Sequence, residues 1–300
     1  MQLEAPTNIS FLPCTALSHL GARIDLMTLA IAVATADGIV VAADSRTSGQ
    51  PAQQQFRVMS DFTHKVFSTN DCAIATYGFA FIMKRNIAGH MGEFTRALAD
   101  RGSMSPEEIA GELAQFFGLR LDEHFDTESD PRPAVGTNAL GFLVGGYSDG
   151  LGSLYEVALP SREVTQIAST THGGAAWRGQ TDVVVRLIKG VDLDCALMAA
   201  ADDPATVTKI QELMPHLAKS EYAILFGSMN LQDAIDFAVL AIRTTIDVQR
   251  LTHGTVGSVG SWPGVGGPIE IAAVLPTGGV NWVQQTQLQG ERSAGVAEFS

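Results

Sequence analysis

The sequence predicts an α+β fold, a four-layer αββα sandwich in which a buried hairpin lies in a central sheet and two helical layers cover the outside. Three observations carry this expectation. Residues 28–44 are apolar on both faces of a strand pair, so the hairpin needs cover on both sides. Strands followed by helices recur in two successive blocks. The helical segments each carry one apolar stripe, as a helix packed on a sheet requires.

Taken in order, the first element is the hairpin itself. With a three-residue loop, Ala36-Asp37-Gly38, and Gly38 in the positive-φ position, Thr35 faces Ile39, Ala30 faces Asp44 and Thr28 faces Arg46. Thr28 and Asp44 then share a face. A two-residue turn at Asp37-Gly38 would send Asp44 to the opposite side. Residues 49–55 form a polar loop, 56–67 return to sheet-like composition, Asn70-Asp71 marks a turn and 72–77 a short strand. Residues 78–101 carry Phe81, Ile87, His90, Phe94 and Leu98 at near-helical spacing, which predicts a helix. Ser105-Pro106-Glu107-Glu108 opens the next one, with Ser105 as cap, Pro106 at the first position and Glu108 closing a capping box, and this helix should run to about Phe125.

Residues 139–147, 153–159 and 162–169 read as three strands joined at Ser148-Asp149-Gly150 and Leu159-Pro160-Ser161. Residues 173–188 and 231–250 are helical in pattern. Between them 190–228, with a helix start at Asp202-Asp203-Pro204, reads as a helical insertion. The glycine-rich loop 253–267 lacks lysine and runs from helix to strand, so it is no phosphate-binding loop. Strands at 268–275 and 279–284 follow. One domain is expected over 28–285, with residues 1–27 a propeptide or an upstream extension of the coding region and 286–300 a disordered tail.

The 300 residues are 46% hydrophobic and 17% charged, ordinary for a globular core, and 19 basic against 32 acidic residues give a net charge of −13. This balance disfavours nucleic acid and anionic membrane surfaces as partners. Cys14, Cys72 and Cys195 are far apart, so neither a disulfide framework nor a zinc knuckle is indicated, and no apolar run reaches membrane-span length. A cytoplasmic location fits. The seven histidines, His64 among them, lack metal-binding spacing and read as surface or satisfied side chains. Gly146-Tyr147-Ser148-Asp149-Gly150 has the pattern of a serine nucleophile elbow, but a strand follows it where an elbow needs a helix.

A threonine at the start of a buried strand, beside an aspartate and an arginine, suits chemistry better than packing. Its hydroxyl becomes a useful nucleophile once a base takes the proton, and a free α-amine, with an ordinary pKa near ~8, can do so from the same residue. Thr28 must then be the first residue. Met27 stands just before it, an initiator that aminopeptidase would trim ahead of a small residue. The plain alternative is a β-strand whose Asp44 caps a turn.

Thr28 followed by Ala42-Ala43-Asp44-Ser45-Arg46 resembles the opening of proteasome β-type subunits, the N-terminal-threonine branch of the N-terminal nucleophile hydrolases. His64-Lys65-Val66-Phe67 resembles the segment that carries that family's catalytic lysine, and residues 73–78, 142–146, 167–174 and 268–273 match later segments in order. The resemblance spans about residues 28–285. It implies the sandwich of the N-terminal nucleophile hydrolase type, and a threonine peptidase or amide hydrolase acting on a polypeptide or amide without cofactor or metal. It further implies a homo-oligomeric ring or spiral, with any unfolding partner unknown. Thr28, Asp44, Lys65, Arg46 and Asp247 would be catalytic, and Thr76, Gly78 and Gly173 would bind the oxyanion or substrate. A catalytically silent structural subunit and a small-molecule amidase of the same fold are the alternatives.

Overall fold

The computed structural model describes residues 28–52, 55–128, 130, 132–134, 137–255, 258–259 and 263–287; the expected propeptide and all but the first two residues of the expected tail lie outside them. The hairpin forms β1 (Leu29–Thr35) and β2 (Gly38–Asp44), buried at every position. β3 (Thr47–Ala52) and β4 (Gln55–Ser60) make a two-stranded ribbon. β5 (Val66–Thr69) and β6 (Cys72–Gly78) turn at Asn70-Asp71, both at positive φ, the conformation a tight two-residue hairpin demands and that Asn and Asp tolerate. A second small hairpin, β7 (Phe81–Ile82) and β8 (Arg85–Asn86), precedes helix α1 (Ile87–Leu98) and the long helix α2 (Pro106–Thr127).

β9 (Leu140–Ser148), β10 (Leu151–Leu159), β11 (Glu163–Ser169) and β12 (Gly174–Gly179) come next, then α3 (Asp182–Lys189), α4 (Leu193–Ala199), α5 (Pro204–Leu217) and α6 (Leu231–Leu251). The short ribbon β13 (Gly254–Thr255) and β14 (Ser258–Val259) leads to β15 (Ile269–Val274) and β16 (Val280–Gln284). One five-stranded sheet runs β12-β1-β2-β15-β16 and another β11-β10-β9-β6-β5, antiparallel throughout.

The hairpin register differs from the expected one. Ala30 pairs with Ala43 and Thr35 with Gly38, so the turn is the two residues Ala36-Asp37. Gly38 is not at positive φ; it is glycine because a Cβ would sit 2.8 Å from the Val274 carbonyl oxygen of the neighbouring strand. Ala30, Ala32, Ala34, Ile39, Val41 and Ala43 therefore share one face, packed on Ala73, Ala75, Leu143 and Leu154 of the other sheet. Leu29, Ile31, Val33, Val40 and Ala42 share the other, against Val184 of α3 and Ala234, Ala238 and Ile242 of α6. The alternate face of the second sheet packs Ile74, Phe142 and Val157 on α1 and α2.

The expected four-layer αββα sandwich is corrected to a mixed α/β architecture: among the described residues there are five antiparallel sheets, three of them two-stranded. Helices α4 and α5 bury no residue and belong to no layer. Two helix expectations also change. The segment 78–101 starts with the β7–β8 hairpin, and helix begins only where the Asn86 side chain accepts from Gly89 N–H at 2.8 Å. Residues 173–188 divide into β12, which covers the free edge of β1, and α3. The Ser105 capping box forms as expected, with Ser105 N–H donating to Glu108 at 2.7 Å and Glu108 N–H to Ser105 Oγ at 3.2 Å.

Phe117 is fully buried between α1 and the sheet, its ring 4.6 Å from that of Phe142. Phe117→Ala should cost about 3–5 kcal/mol by loss of packing, whereas the exposed cap change Ser105→Ala should cost about 1 kcal/mol. Thermal unfolding of the two variants checks the ratio.

Candidate active site

Asp44 ends β2 with its side chain fully buried. Its Oδ1 accepts from Leu29 N–H at 3.0 Å and from Lys65 Nζ at 3.1 Å, while Oδ2 accepts from the N–H groups of Arg46 and Gly266, each at 3.0 Å. Continuing the hairpin pairing one step places Leu29, rather than the expected Ala30, opposite Asp44, and so puts Thr28 on the other face. The expected shared face of Thr28 and Asp44 is thus corrected, and the carboxylate holds the nucleophile candidate through its neighbour's backbone. Burial pushes the Asp44 carboxyl above its ordinary range, opposed by the Lys65 charge and the three N–H groups. Burial likewise pushes the Lys65 ammonium below 10.5, opposed by Asp44 and Glu270 and aided by the Arg46 cation.

Thr28 is itself buried, and its carbonyl accepts from Gln180 N–H at 2.8 Å. Gly179 makes this contact possible: it stands at φ 96°, and a Cβ there would lie 1.8 Å from the Thr28 carbonyl oxygen. Thr28, Arg46, Lys65, Thr76 and Gly78 line one cavity together with His64, Thr63 and Tyr77. Phe79 and Ile87 also line it. Thr76 donates its N–H to the Lys65 carbonyl at 3.0 Å, so that N–H is not free for an oxyanion. Its buried hydroxyl has no hydrogen-bond partner among the described residues. Arg46 is bound to Asp61 at 2.6 Å and to the Pro263 carbonyl at 3.2 Å.

Two expected site residues fall elsewhere. Asp247, on α6, faces out and pairs with Arg250 at 3.3 Å, its side chain 44% exposed. Gly173 precedes Gly174, which pairs with Ala34, whereas Gly179 pairs with Leu29, so Gly173 lies about seven strand steps, roughly 23 Å, from Thr28. Its N–H is also taken by the Ser169 carbonyl at 2.9 Å.

Several residues of the site were not identified from the sequence. Gly266 was read only as part of a glycine-rich loop, yet it donates to Asp44. Glu270 of β15 is fully buried: Oε2 accepts from Lys65 N–H at 2.8 Å and Val66 N–H at 3.1 Å, and Oε1 lies 2.6 Å from His64 Nδ1. An acidic residue inside an apolar strand was the available sign. Thr286, assigned to the tail, is buried and lies 3.0 Å from Ser45 Oγ through its hydroxyl. Among the described residues no group of three or more His, Cys, Asp or Glu side chains is placed to hold a metal ion.

No helix among the described residues is long and apolar enough to cross a membrane. No family model and no curated protein matches the chain. Among solved structures the chain is similar to a Gly-1 mutant of Anbu from Hyphomicrobium sp. strain MC1, at 14% identity and a TM-score of 0.48, covering 84% of each chain. A likeness of that size carries no argument about family. The assignment to the proteasome β-type subunits, made from short motifs, is therefore corrected: the chain has no family-level match to support it, and its site stands on its own geometry.

Proposed function

We propose that the chain is a threonine-type peptidase or amide hydrolase whose nucleophile is Thr28 Oγ. The observation that carries this reading is the buried Asp44–Lys65 pair, 3.1 Å apart, beside a buried threonine in a cavity. A buried ion pair is a poor stabiliser compared with apolar packing, which favours a functional reason for it here. With Thr28 as first residue, its α-amine takes the Oγ proton as Oγ bonds to the amide carbonyl carbon. The amine then passes that proton to the leaving nitrogen as the C–N bond breaks, and water hydrolyses the acyl ester. The Lys65 charge beside the site favours the ionised hydroxyl and the neutral amine.

Thr28→Ala should abolish hydrolysis of fluorogenic peptide amides and Thr28→Ser should keep a measurable part of it, with intact mass showing an active species that begins at residue 28. Activity in a species still carrying Met27 would sink the reading.

Lys65→Ala bears on the fold as well as the chemistry, because the ammonium is buried against Asp44. The change should remove activity by on the order of 10²–10⁴ and also cost about 3–5 kcal/mol, because the carboxylate is left uncompensated. Since burial lowers the Lys65 pKa from 10.5, the charged form is lost as pH rises through a value below 10.5. The rate should fall there on the alkaline side, and Lys65→Arg, charged at every accessible pH, should move that limb upward in the pH–rate profile.

Homo-oligomerisation belongs to the same proposal. Leu213, Tyr222 and Leu225 of the 190–228 segment are exposed by 52%, 70% and 71%, apolar surface that a second copy of the chain would cover. Light scattering should give a mass above that of a monomer at micromolar concentration.

A further inference from the structure

We infer that His64, held by Glu270, is the proton-transfer residue for release of the acyl group from Thr28. This rests on the Thr28 acyl-enzyme proposed above and assigns a second role within its cavity.

His64 lines the same cavity as Thr28 and keeps 33% of its side chain exposed, whereas its partner Glu270 is fully buried. The Glu270 carboxylate is fixed on several sides. Oε2 takes the N–H groups of Lys65 and Val66, at 2.8 and 3.1 Å, and Oε1 takes Thr286 N–H at 3.4 Å. Three backbone N–H groups thus occupy this carboxyl from the side of the main chain. The remaining contact, His64 Nδ1 at 2.6 Å from Oε1, is assigned as donated by the imidazole, a carboxyl oxygen being its partner. Neutral His64 is therefore the tautomer with its proton on Nδ1 and a lone pair on Nε2. Nε2 has no hydrogen bond among the described residues.

An oriented imidazole with a carboxylate behind it and a bare nitrogen is the arrangement that activates a hydroxyl or a water. Thr28 already has its α-amine for the first half of the reaction, so the step left for His64 is the second. Nε2 takes a proton from water as the water oxygen bonds to the acyl carbon. It gives that proton to Thr28 Oγ as the ester C–O bond breaks, releasing the carboxylic acid and restoring the threonine. One water is consumed and no other reactant is needed.

His64→Gln and His64→Ala probe this directly, because the side chain is partly exposed and its loss leaves the backbone contacts of Glu270 in place. With p-nitrophenyl acetate as probe on the processed protein, the initial burst of p-nitrophenolate reports acylation, and intact mass reports acetyl-Thr28. Both variants should keep the burst within about threefold of the parent, while the following steady rate falls on the order of 10²–10⁴ and acetyl-Thr28 accumulates. Added imidazole should speed deacylation in His64→Ala, a rescue that a purely structural histidine would not show. Deacylation at the parental rate in both variants, or a slow rate unmoved by imidazole, overturns the role of His64 while leaving acyl-Thr28 intact. A parent whose acetyl group maps elsewhere, or whose burst survives Thr28→Ala, overturns the underlying reading instead.

Discussion

The Asp44 carboxylate is the constraint on which the site depends. A fully buried acid costs several kcal/mol to desolvate, and here four donors from four places in the chain offset that cost: the start of β1, the second residue after β2, the residue before β5 and the glycine loop before β15. Each donor is thereby fixed to within hydrogen-bond tolerance of one pair of oxygens. Leu29 N–H is the one that matters for Thr28, since a strand anchored one residue along leaves the threonine side chain only its rotamers. Gly179 and Gln180 grip the Thr28 carbonyl from the other side, so the nucleophile candidate sits between β2 and the end of β12.

Two further buried carboxylates repeat this device between the sheets. Glu156 of β10 takes Tyr77 Oη at 2.6 Å and the Arg178 guanidinium at 2.5 and 2.6 Å, joining β6 and β12 across the interface. Burial first, and the Glu156 charge next, keep the Tyr77 phenol protonated and donating. The face of the hairpin packed there is rich in alanine, which lets the sheets approach but offers little shape to lock their relative position. Directional polar contacts supply that lock. Tyr77 also lines the cavity and Arg178 precedes Gly179, beside the Thr28 carbonyl, so the network that sets the sheets also reaches the site.

What the sequence made legible was local. The Ser105 box, the 231–250 helix and the two apolar runs of the hairpin each carry their cause within a few residues, and each appears as α2, α6 and β1–β2. The hairpin register was not local: Ala36-Asp37-Gly38 fits two turn lengths, and the choice follows from β15, whose Val274 carbonyl leaves room only for a glycine at 38. β12 was invisible for a similar reason, because Ala175 to Trp177 become strand by covering the edge of β1. Once β12 is placed, Gly173 is carried to the far end of the hairpin. Thr28, Arg46, Lys65, Thr76 and Gly78 were found by motif and do meet in one cavity; Asp247 was chosen by chain order alone and does not.

The alternation of a strand explains how two acids hold consecutive residues. On β15, Ile269 pairs with Asp44 and Glu270 with Ala43, so Asp44 and Glu270 start from opposite faces of the same sheet at the same end. Glu270 points to the face that meets the second sheet and captures the backbone of Lys65 and Val66, where β5 begins. Asp44, at the terminus of β2 where the sheet no longer separates its two sides, reaches the Lys65 ammonium instead. Residues 61–65 have no helix or strand of their own, yet His64 and Lys65 are held by carboxylates that bulk solvent does not reach. A loop fixed in this way combines the reach of irregular backbone with the rigidity of a sheet. Removing either acid would therefore release the cationic side of the cavity while leaving both sheets paired.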